Sequence, residues 1–345
     1  MAFNDTFLRA CRKQPVEHIP VWYMRQAGRY QPEYRKVREK YSLMEICEIP
    51  DVCAEVTILP VKQLNTDAAI LFSDIMIPVK AMGVDVDIKG GYGPVIANPI
   101  KEMADVTRLR ELDPEGDLPK TMETIRILKR ELEVPLIGFA GAPFTLASYM
   151  IEGGPSKNYY KTKQMMYSAP EVWNALMDKL GDMIITYMKG QVAAGAQAVQ
   201  IFDSWIGSLS PSDYRQYVFP TMKRIFEALK EIDAPTIYFG INTGELLTVW
   251  KELPVSVIGV DWRVPLDSAR ERVGTGFALQ GNLDPALLLA PWPVIEQKAK
   301  EILDMGMAHP GYIFNLGHGI FPEVQGETLR KLTEFVHQYS VSKLK

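Results

Sequence analysis

Residues 20–30 read Pro20-Val21-Trp22-Tyr23-Met24-Arg25-Gln26-Ala27-Gly28-Arg29-Tyr30, an apolar run that passes directly into a polar loop. The run is continuous rather than alternating, which is typical of a strand buried on both faces of a parallel sheet. The loop carries two arginines four residues apart, and Gly28 between them allows a tight turn. Because a guanidinium grips a carboxylate through two parallel hydrogen bonds, we expect Arg25 and Arg29 to bind a ligand with several carboxylates.

Seven further apolar runs follow along the 345 residues, and stretches with helical periodicity separate most of them. Parallel strands that alternate with helices predict an α/β fold, a (β/α)8 barrel of the TIM type. A doubly wound open sheet is the alternative, but the glycine-rich nucleotide-binding signatures of that fold are missing. The eight predicted strands are 20–24, 68–72, 136–140, 198–202, 236–240, 257–260, 277–280 and 312–316.

Helix start signals lie between the runs. Ser42 and Glu45 have the spacing of a capping box, and Asp284 precedes a proline as a helix-capping residue does. Residues 84–96 alternate between apolar and polar side chains before several glycines, so we interpret them as a hairpin insertion. No linker-like segment interrupts the chain, and we predict a single domain over residues 1–345.

The composition excludes several classes of protein. A net charge of -4 gives no general attraction to nucleic acid or to an acidic membrane, and no apolar run is long enough to span a bilayer. The three cysteines, Cys11, Cys47 and Cys53, lack the C-x-x-C spacing of a zinc ribbon, and their small, odd number favours a reducing compartment. We expect Cys47 and Cys53 to pack as small apolar residues in helices. The first residues carry no long apolar stretch, so we expect no signal peptide and a cytoplasmic location.

Polar side chains gather where the predicted strands end, which is where barrels of this class carry their chemistry. Some have ordinary alternatives: Asp74 could cap a turn, Tyr149 could be a core aromatic, and Ser204 could be a turn cap. His318 lies between two glycines that favour its exposure, whereas we interpret His18, His309 and His337 as surface or packing residues. The residues at the strand ends are Arg25, Arg29, Asp74, Tyr149, Asp203, Ser204, Trp205, Asn242, Asp261, Trp262, Asn282, Asp284 and His318.

Along nearly its whole length the chain resembles the uroporphyrinogen decarboxylase family. The resemblance is strongest in residues 20–30, 141–154 and 315–319, with shorter pieces at 72–75 and 202–205. Met-Arg-Gln-Ala-Gly-Arg in the first segment and Ala-Pro-Phe-Thr-Leu in the second are highly specific in combination.

The resemblance implies a single barrel, usually a homodimer, that needs no cofactor and no metal. It implies removal of the carboxyl groups of the four acetate side chains of uroporphyrinogen III to give coproporphyrinogen III, in haem biosynthesis. By the same resemblance, Arg25 and Arg29 bind substrate carboxylates, and Asp74 binds the pyrroles. The residues that line the pocket are Tyr149, Ser204 and His318. The substrate-binding loop contains Gln26, Ala27 and Gly28.

These residue types suit the chemistry that the resemblance implies. Loss of carbon dioxide leaves an electron pair on carbon, and a pyrrole protonated beside its acetate-bearing carbon can accept that pair. An ionised Asp74 would stabilise the cationic ring more than the neutral one. The proton donor stays open at this point among the two arginines, Tyr149 and His318.

Two other functions are weighed. A zinc-dependent corrinoid methyltransferase of the same barrel superfamily needs thiolate and imidazole ligands at strand ends, but all three cysteines precede residue 54. A non-catalytic tetrapyrrole-binding protein could use the same fold, because a fold alone does not establish an activity.

Overall fold

Parallel strands form one curled sheet in the computed structural model, which describes residues 3–90 and 92–344. Strands β1 and β4 to β9 make this sheet and pair in that order, while β2 and β3 form a separate antiparallel hairpin whose Gly91 lies outside the described residues. The strands are β1 (Ala69–Ile70), β2 (Val86–Lys89), β3 (Gly93–Ile96), β4 (Leu136–Gly141), β5 (Ala198–Asp203), β6 (Thr236–Gly240), β7 (Val257–Gly259), β8 (Ala278–Gln280) and β9 (Tyr312–Ile313).

Helices connect the parallel strands, which confirms the predicted α/β barrel of one domain. They are α1 (Thr6–Cys11), α2 (Pro32–Lys40), α3 (Leu43–Glu48), α4 (Pro50–Leu64), α5 (Ile77–Ala81), α6 (Met103–Thr107), α7 (Pro114–Asp117), α8 (Pro119–Glu131), α9 (Pro143–Glu152), α10 (Tyr160–Ser168), α11 (Pro170–Ala194), α12 (Pro211–Tyr217), α13 (Phe219–Ala228), α14 (Leu247–Trp250), α15 (Leu266–Val273), α16 (Trp292–Gly306) and α17 (Gly326–Leu344). Within residues 3–90 and 92–344, four 3-10 helices span Ile206–Ser208, Leu229–Glu231, Gly244–Leu246 and Pro285–Leu289. Among the described helices, none has a stretch long and apolar enough to cross a membrane.

Residues 20–24, which we call the closing run, lie in the gap between the two outer strands of the sheet, β9 and β1. The run makes a single parallel bridge, from Val21 to Phe314 just beyond β9. On its other side the backbone amide of Asp67 donates to the Val21 carbonyl at 2.8 Å, and the Val21 amide donates to the Asp67 carboxylate at 2.8 Å. The prediction of a regular strand at residues 20–24 is therefore wrong. The run closes the barrel, but it forms no continuous hydrogen-bond ladder with β9 or β1.

Side chains take up the backbone amides that a strand partner would otherwise bind. The amide of Tyr23 donates to the side-chain oxygen of Gln26 at 3.2 Å, and that of Met24 donates to the side-chain oxygen of Asn315 at 3.1 Å. Buried backbone donors need such partners, so these side chains replace the missing ladder.

The barrel interior contains a short polar chain among apolar side chains. The indole of Trp22 donates to Gln280 at 2.9 Å, and Gln280 donates to Gln200 at 3.0 Å. Phe7 on α1 is fully buried in the same apolar cluster as Trp22, so α1 covers the end of the barrel where the strands begin.

Two predicted caps are observed with different outcomes. Ser42 and Glu45 form the capping box at the start of α3, with hydrogen bonds of 3.2 and 2.7 Å. Asp284 accepts from the amide of Ala286 at 2.9 Å, but the segment that it caps is a 3-10 helix.

Candidate active site

Arg25 leaves the closing run in a conformation that positions its side chain at the strand ends. Its φ of 61° lies in the left-handed region, which residues with side chains seldom adopt. Gly319 packs against it, because a Cβ atom at Gly319 would overlap the aliphatic part of the Arg25 side chain. Arg25 is exposed, and no hydrogen bond or ion pair engages its guanidinium among the described residues. The charge is therefore available to a ligand.

Asp74 is half-buried and follows β1. Its position is compatible with both roles weighed from the sequence, capping a turn and interacting with a substrate. One carboxylate oxygen accepts from the amide of Met76 at 2.9 Å, so the residue does cap a turn. Burial raises the pKa of Asp74, while the Met76 hydrogen bond and the positive charge of Arg25 oppose that rise. Within the described part of the chain, its other oxygen has no hydrogen-bond partner and could accept from a ligand.

Tyr149 lies on α9, where the charges of Asp74 and Arg25 both affect its pKa. Burial and the negative charge of Asp74 raise the pKa of Tyr149 to about 12, and Arg25 acts against them. The ring lies 3.9 Å from that of Trp205, centroid to centroid. Tyr149 is thus a neutral phenol that can donate a hydrogen bond at neutral pH.

A buried network fixes the end of β5. The carboxylate of Asp203 is fully buried and accepts from the hydroxyls of Thr145 and Tyr238, each at 2.7 Å. Burial raises the pKa of Asp203 to about 6 in spite of these two donors. The Thr145 oxygen also accepts from the amide of Trp205 at 3.3 Å, so the network positions the ring beneath Tyr149. Ser204 is half-buried, and its hydroxyl caps no turn among the described residues.

His318 is half-buried, although the two glycines beside it were expected to favour its exposure. Burial and the positive charge of Arg25 lower the pKa of His318 to about 4. Its ring is perpendicular to that of Trp262 at 6.3 Å. The imidazole is therefore neutral at pH 7, and it can exchange hydrogen bonds with a ligand but carries no charge.

The loop between the two arginines divides into anchored and accessible parts. Gln26 is fully buried, and its amide nitrogen donates to the carbonyl of Ala68 at 3.1 Å. Its side chain thus ties the loop to the start of β1 instead of facing a ligand. Ala27 and Gly28 are half-buried, and Arg29 is exposed with no partner for its guanidinium among the described residues.

Arg263 is a third cation at this edge, which the sequence analysis missed. Its guanidinium lies 3.9 Å from the centre of the Trp262 ring and 2.9 Å from the buried carboxylate of Asp261. Its charge also contributes to the lowered pKa of His318. The sequence does contain a sign of this role, because Arg263 lies two residues after Asp261, an aspartate at a predicted strand end.

The cysteines are unsuited to hold a metal at the strand ends. All three are buried, and Cys47 and Cys53 pack in α3 and α4, as the sequence analysis predicted. The Cys53 thiol lies 3.1 Å from the carbonyl of Phe72, and the Cys53 hydrogen bond together with burial raises the pKa of Cys47. The thiolate and imidazole set of a zinc methyltransferase is not assembled among the described residues.

Comparison with known proteins connects the whole chain to one family. The family model described as "Uroporphyrinogen decarboxylase (URO-D)" matches residues 2–339. A protein named uroporphyrinogen decarboxylase from Geobacillus sp. (strain WCH70) is 63% identical over 341 residues, covering 99% of each chain. A protein of the same name from Halalkalibacterium halodurans is 60% identical over 341 residues, again covering 99% of each.

Solved structures support the fold. A methyltransferase from Methanosarcina mazei superposes with a TM-score of 0.79 at 21% identity, covering 98% of this chain and 99% of its own. A B12-independent methionine synthase from Shewanella sp. W3-18-1 gives a TM-score of 0.58 at 12% identity, covering 85% and 87%. At these identities the likeness concerns the barrel alone. From the match over nearly its whole length and the identity to its relatives, the chain belongs to the uroporphyrinogen decarboxylase family.

Proposed function

We propose that the protein removes the carboxyl groups of the four acetate side chains of uroporphyrinogen III, giving coproporphyrinogen III. The observation that carries the proposal is the half-buried Asp74 carboxylate, which lies within electrostatic range of Arg25 and Tyr149 and keeps one oxygen free of hydrogen bonds among the described residues. A carboxylate with a free oxygen can accept several pyrrole N–H groups.

Asp74 would act on the ring that loses its carboxyl group. Protonation of the ring carbon next to the acetate-bearing carbon makes the pyrrole cationic. The C–C bond to the carboxylate then breaks, its electron pair neutralises the ring, and carbon dioxide leaves. Protonation of the exocyclic carbon and loss of the ring proton restore the pyrrole with a methyl group. The charge of Asp74 matters most when the ring is cationic, so it lowers the barrier rather than merely binding the substrate.

The arginines would hold the carboxylates that surround this ring. Arg25 and Arg29 come from one loop, and Arg263 extends from the loop after β7. A substrate with eight carboxylates needs several cations on a protein whose net charge is -4.

The pKa shifts narrow the choice of proton donor. The pKa of Tyr149 is raised to about 12 and that of His318 is lowered to about 4, so both side chains are poorly suited to transfer a proton to the substrate at neutral pH. His318 and Tyr149 are then hydrogen-bonding groups that orient the substrate.

The proposal includes a cytoplasmic location, a homodimer, and activity without a cofactor or metal. The alternative of a zinc-dependent corrinoid methyltransferase is not favoured, because the relatives of high identity bear the decarboxylase name and no thiol lies at a strand end among the described residues.

Incubation with uroporphyrinogen III under reducing conditions, followed by chromatography of the oxidised products, tests the function. We expect porphyrins with seven, six, five and finally four carboxyl groups to appear in turn. Saturable binding with no loss of carboxyl groups would instead identify a tetrapyrrole-binding protein. Size-exclusion chromatography with light scattering tests the homodimer separately.

A further inference from the structure

Two histidines and an aspartate meet far from the strand ends that carry the candidate active site. The Nε2 atom of His18 lies 2.8 Å from one carboxylate oxygen of Asp67, and the Nε2 atom of His337 lies 2.7 Å from the other. The two imidazole rings are 4.4 Å apart, and one ligand atom from each residue falls within 4.8 Å of the other two. We call these three residues the seam cluster.

The seam cluster joins three separate parts of the chain at the barrel closure. His18 precedes the closing run, Asp67 precedes β1, and His337 lies on α17. Because His18 and Asp67 stand where their strands begin, the cluster belongs to the opposite end of the barrel from Arg25 and Asp74. Its role is therefore independent of the proposed activity.

The carboxylate of the cluster is held in place by other donors. Asn4 donates to one oxygen at 3.0 Å and the amide of Val21 to the other at 2.8 Å. Burial opposes the ionisation of Asp67, but the hydrogen bonds from both histidines keep its pKa well below the usual range. Metal-binding carboxylates are commonly fixed by such hydrogen bonds.

Access also suits an ion. The Asp67 side chain is 3% exposed, whereas those of His18 and His337 are 22% and 18% exposed. An ion could thus reach both imidazoles from solvent, and water could complete its coordination.

We propose that His18, Asp67 and His337 bind a divalent cation of the Zn²⁺ or Co²⁺ type. Two imidazoles and one carboxylate match the ligand preferences of these ions, whereas Ca²⁺ and Mg²⁺ prefer oxygen ligands throughout. Each Nε2 atom would give up its proton to become a ligand, so binding releases protons or shifts them to Nδ1. Bonds of about 2.0–2.1 Å in a tetrahedral site would widen the present nitrogen–oxygen separations to about 3.3 Å, a movement of about half an ångström.

A bound ion would fasten the closing run, the start of β1 and α17 to one another. Because the ion binds the folded chain only, it raises the temperature of unfolding. At a hundredfold excess over the dissociation constant, the rise expected for a chain of this size is about 3–4 °C.

The test titrates the untagged, metal-free full chain with Zn²⁺ and, separately, with Co²⁺. We expect one ion per chain, an absorption band typical of tetrahedral cobalt, the shift in unfolding temperature, and no change in turnover. His18→Gln and His337→Gln should each weaken binding at least tenfold, while His309→Gln, which alters an exposed histidine outside the cluster, should not.

A further variant separates metal binding from hydrogen bonding. His337→Cys should keep zinc binding, because a thiolate is also a zinc ligand, although it loses the hydrogen bond to Asp67. Circular dichroism confirms that each variant is folded at the temperature of titration. Equal binding by the parent chain and both glutamine variants, or no binding by the parent chain, would overturn the proposal and leave the cluster as a hydrogen-bonded fastening.

Discussion

Replacing Asp74 with asparagine separates its charge from its turn. The Asp74 oxygen accepts from the Met76 amide at 2.9 Å, and an asparagine oxygen can accept the same bond. Asp74→Asn should therefore fold normally. What it removes is the charge opposite the cationic pyrrole, and the loss of one preorganised electrostatic partner costs about 3–4 kcal/mol, or a factor of about 10²–10³ in turnover. Substrate affinity should fall less, because neutral pyrrole N–H groups can still bond the amide oxygen.

Turnover and the dissociation constant of the substrate are measured on the same preparation, together with thermal unfolding. Asp113→Asn is the matched control, since Asp113 makes the same kind of turn with the amide of Glu115 at 3.2 Å and is exposed. We expect the control to keep full turnover. A folded Asp74→Asn variant with turnover within threefold of the parent would refute the assignment of Asp74 to cation stabilisation. Asp203 would not replace it, because its carboxylate is buried and occupied by two hydroxyls.

Four further outcomes follow from the site and the seam. Arg29→Ala should weaken substrate binding by about 1.5–3 kcal/mol, as for a lost hydrogen bond to a charged group, and an unchanged dissociation constant would place Arg29 outside the pocket. Arg263→Gln should raise KM severalfold with little change in kcat, which steady-state kinetics can check. The pKa of His318 is lowered in the folded chain, so the unfolded chain binds more protons between its ordinary value of 6.5 and about 4. Stability should fall as the pH drops through that range, and His318→Asn should reduce this fall in urea titrations. Asp67→Asn should cost on the order of 3 kcal/mol in the free energy of unfolding near neutral pH, because a buried charge with several donors is lost. The pKa of Asp67 is lowered in the folded chain, so that difference should shrink below about pH 4, where the carboxylate protonates first in the unfolded parent chain.

Much of the fold was predictable because a parallel sheet buries both faces of its strands. Continuous apolar runs mark such strands, and seven of the eight predicted runs contain a strand of the sheet. The remaining run, the closing run, has the same composition but combines a few backbone hydrogen bonds with several from side chains. Those partners come from distant positions, such as Asn315, which is 291 residues from Met24, so local sequence carries no sign of them.

The candidate site was predictable in location more than in detail. The polar residues at strand ends do gather at one edge, but Asp74 and Asp203 look alike in sequence, and only burial separates the half-open acid from the enclosed one. Gln26 lies between two arginines in sequence, yet its side chain is buried and hydrogen-bonded to the carbonyl of Ala68. The meeting of His18 and His337 was not predictable from local sequence, because the carboxylate that both contact lies 270 residues from His337.

The closing run also bears on how the protein matures during synthesis. Arg25 and Arg29 leave the ribosome well before Phe314, the residue that bridges the run preceding them. Until Phe314 emerges, the loop with Arg25 and Arg29 has no packing partner on one side. Long-range contacts of this kind form late in folding. A nascent chain stalled at residue 300 would hold most of its barrel strands and yet lack a fixed position for the loop that we propose binds carboxylates. A folding error in the segment around Phe314 would thus disturb the proposed site, although this segment does not form it.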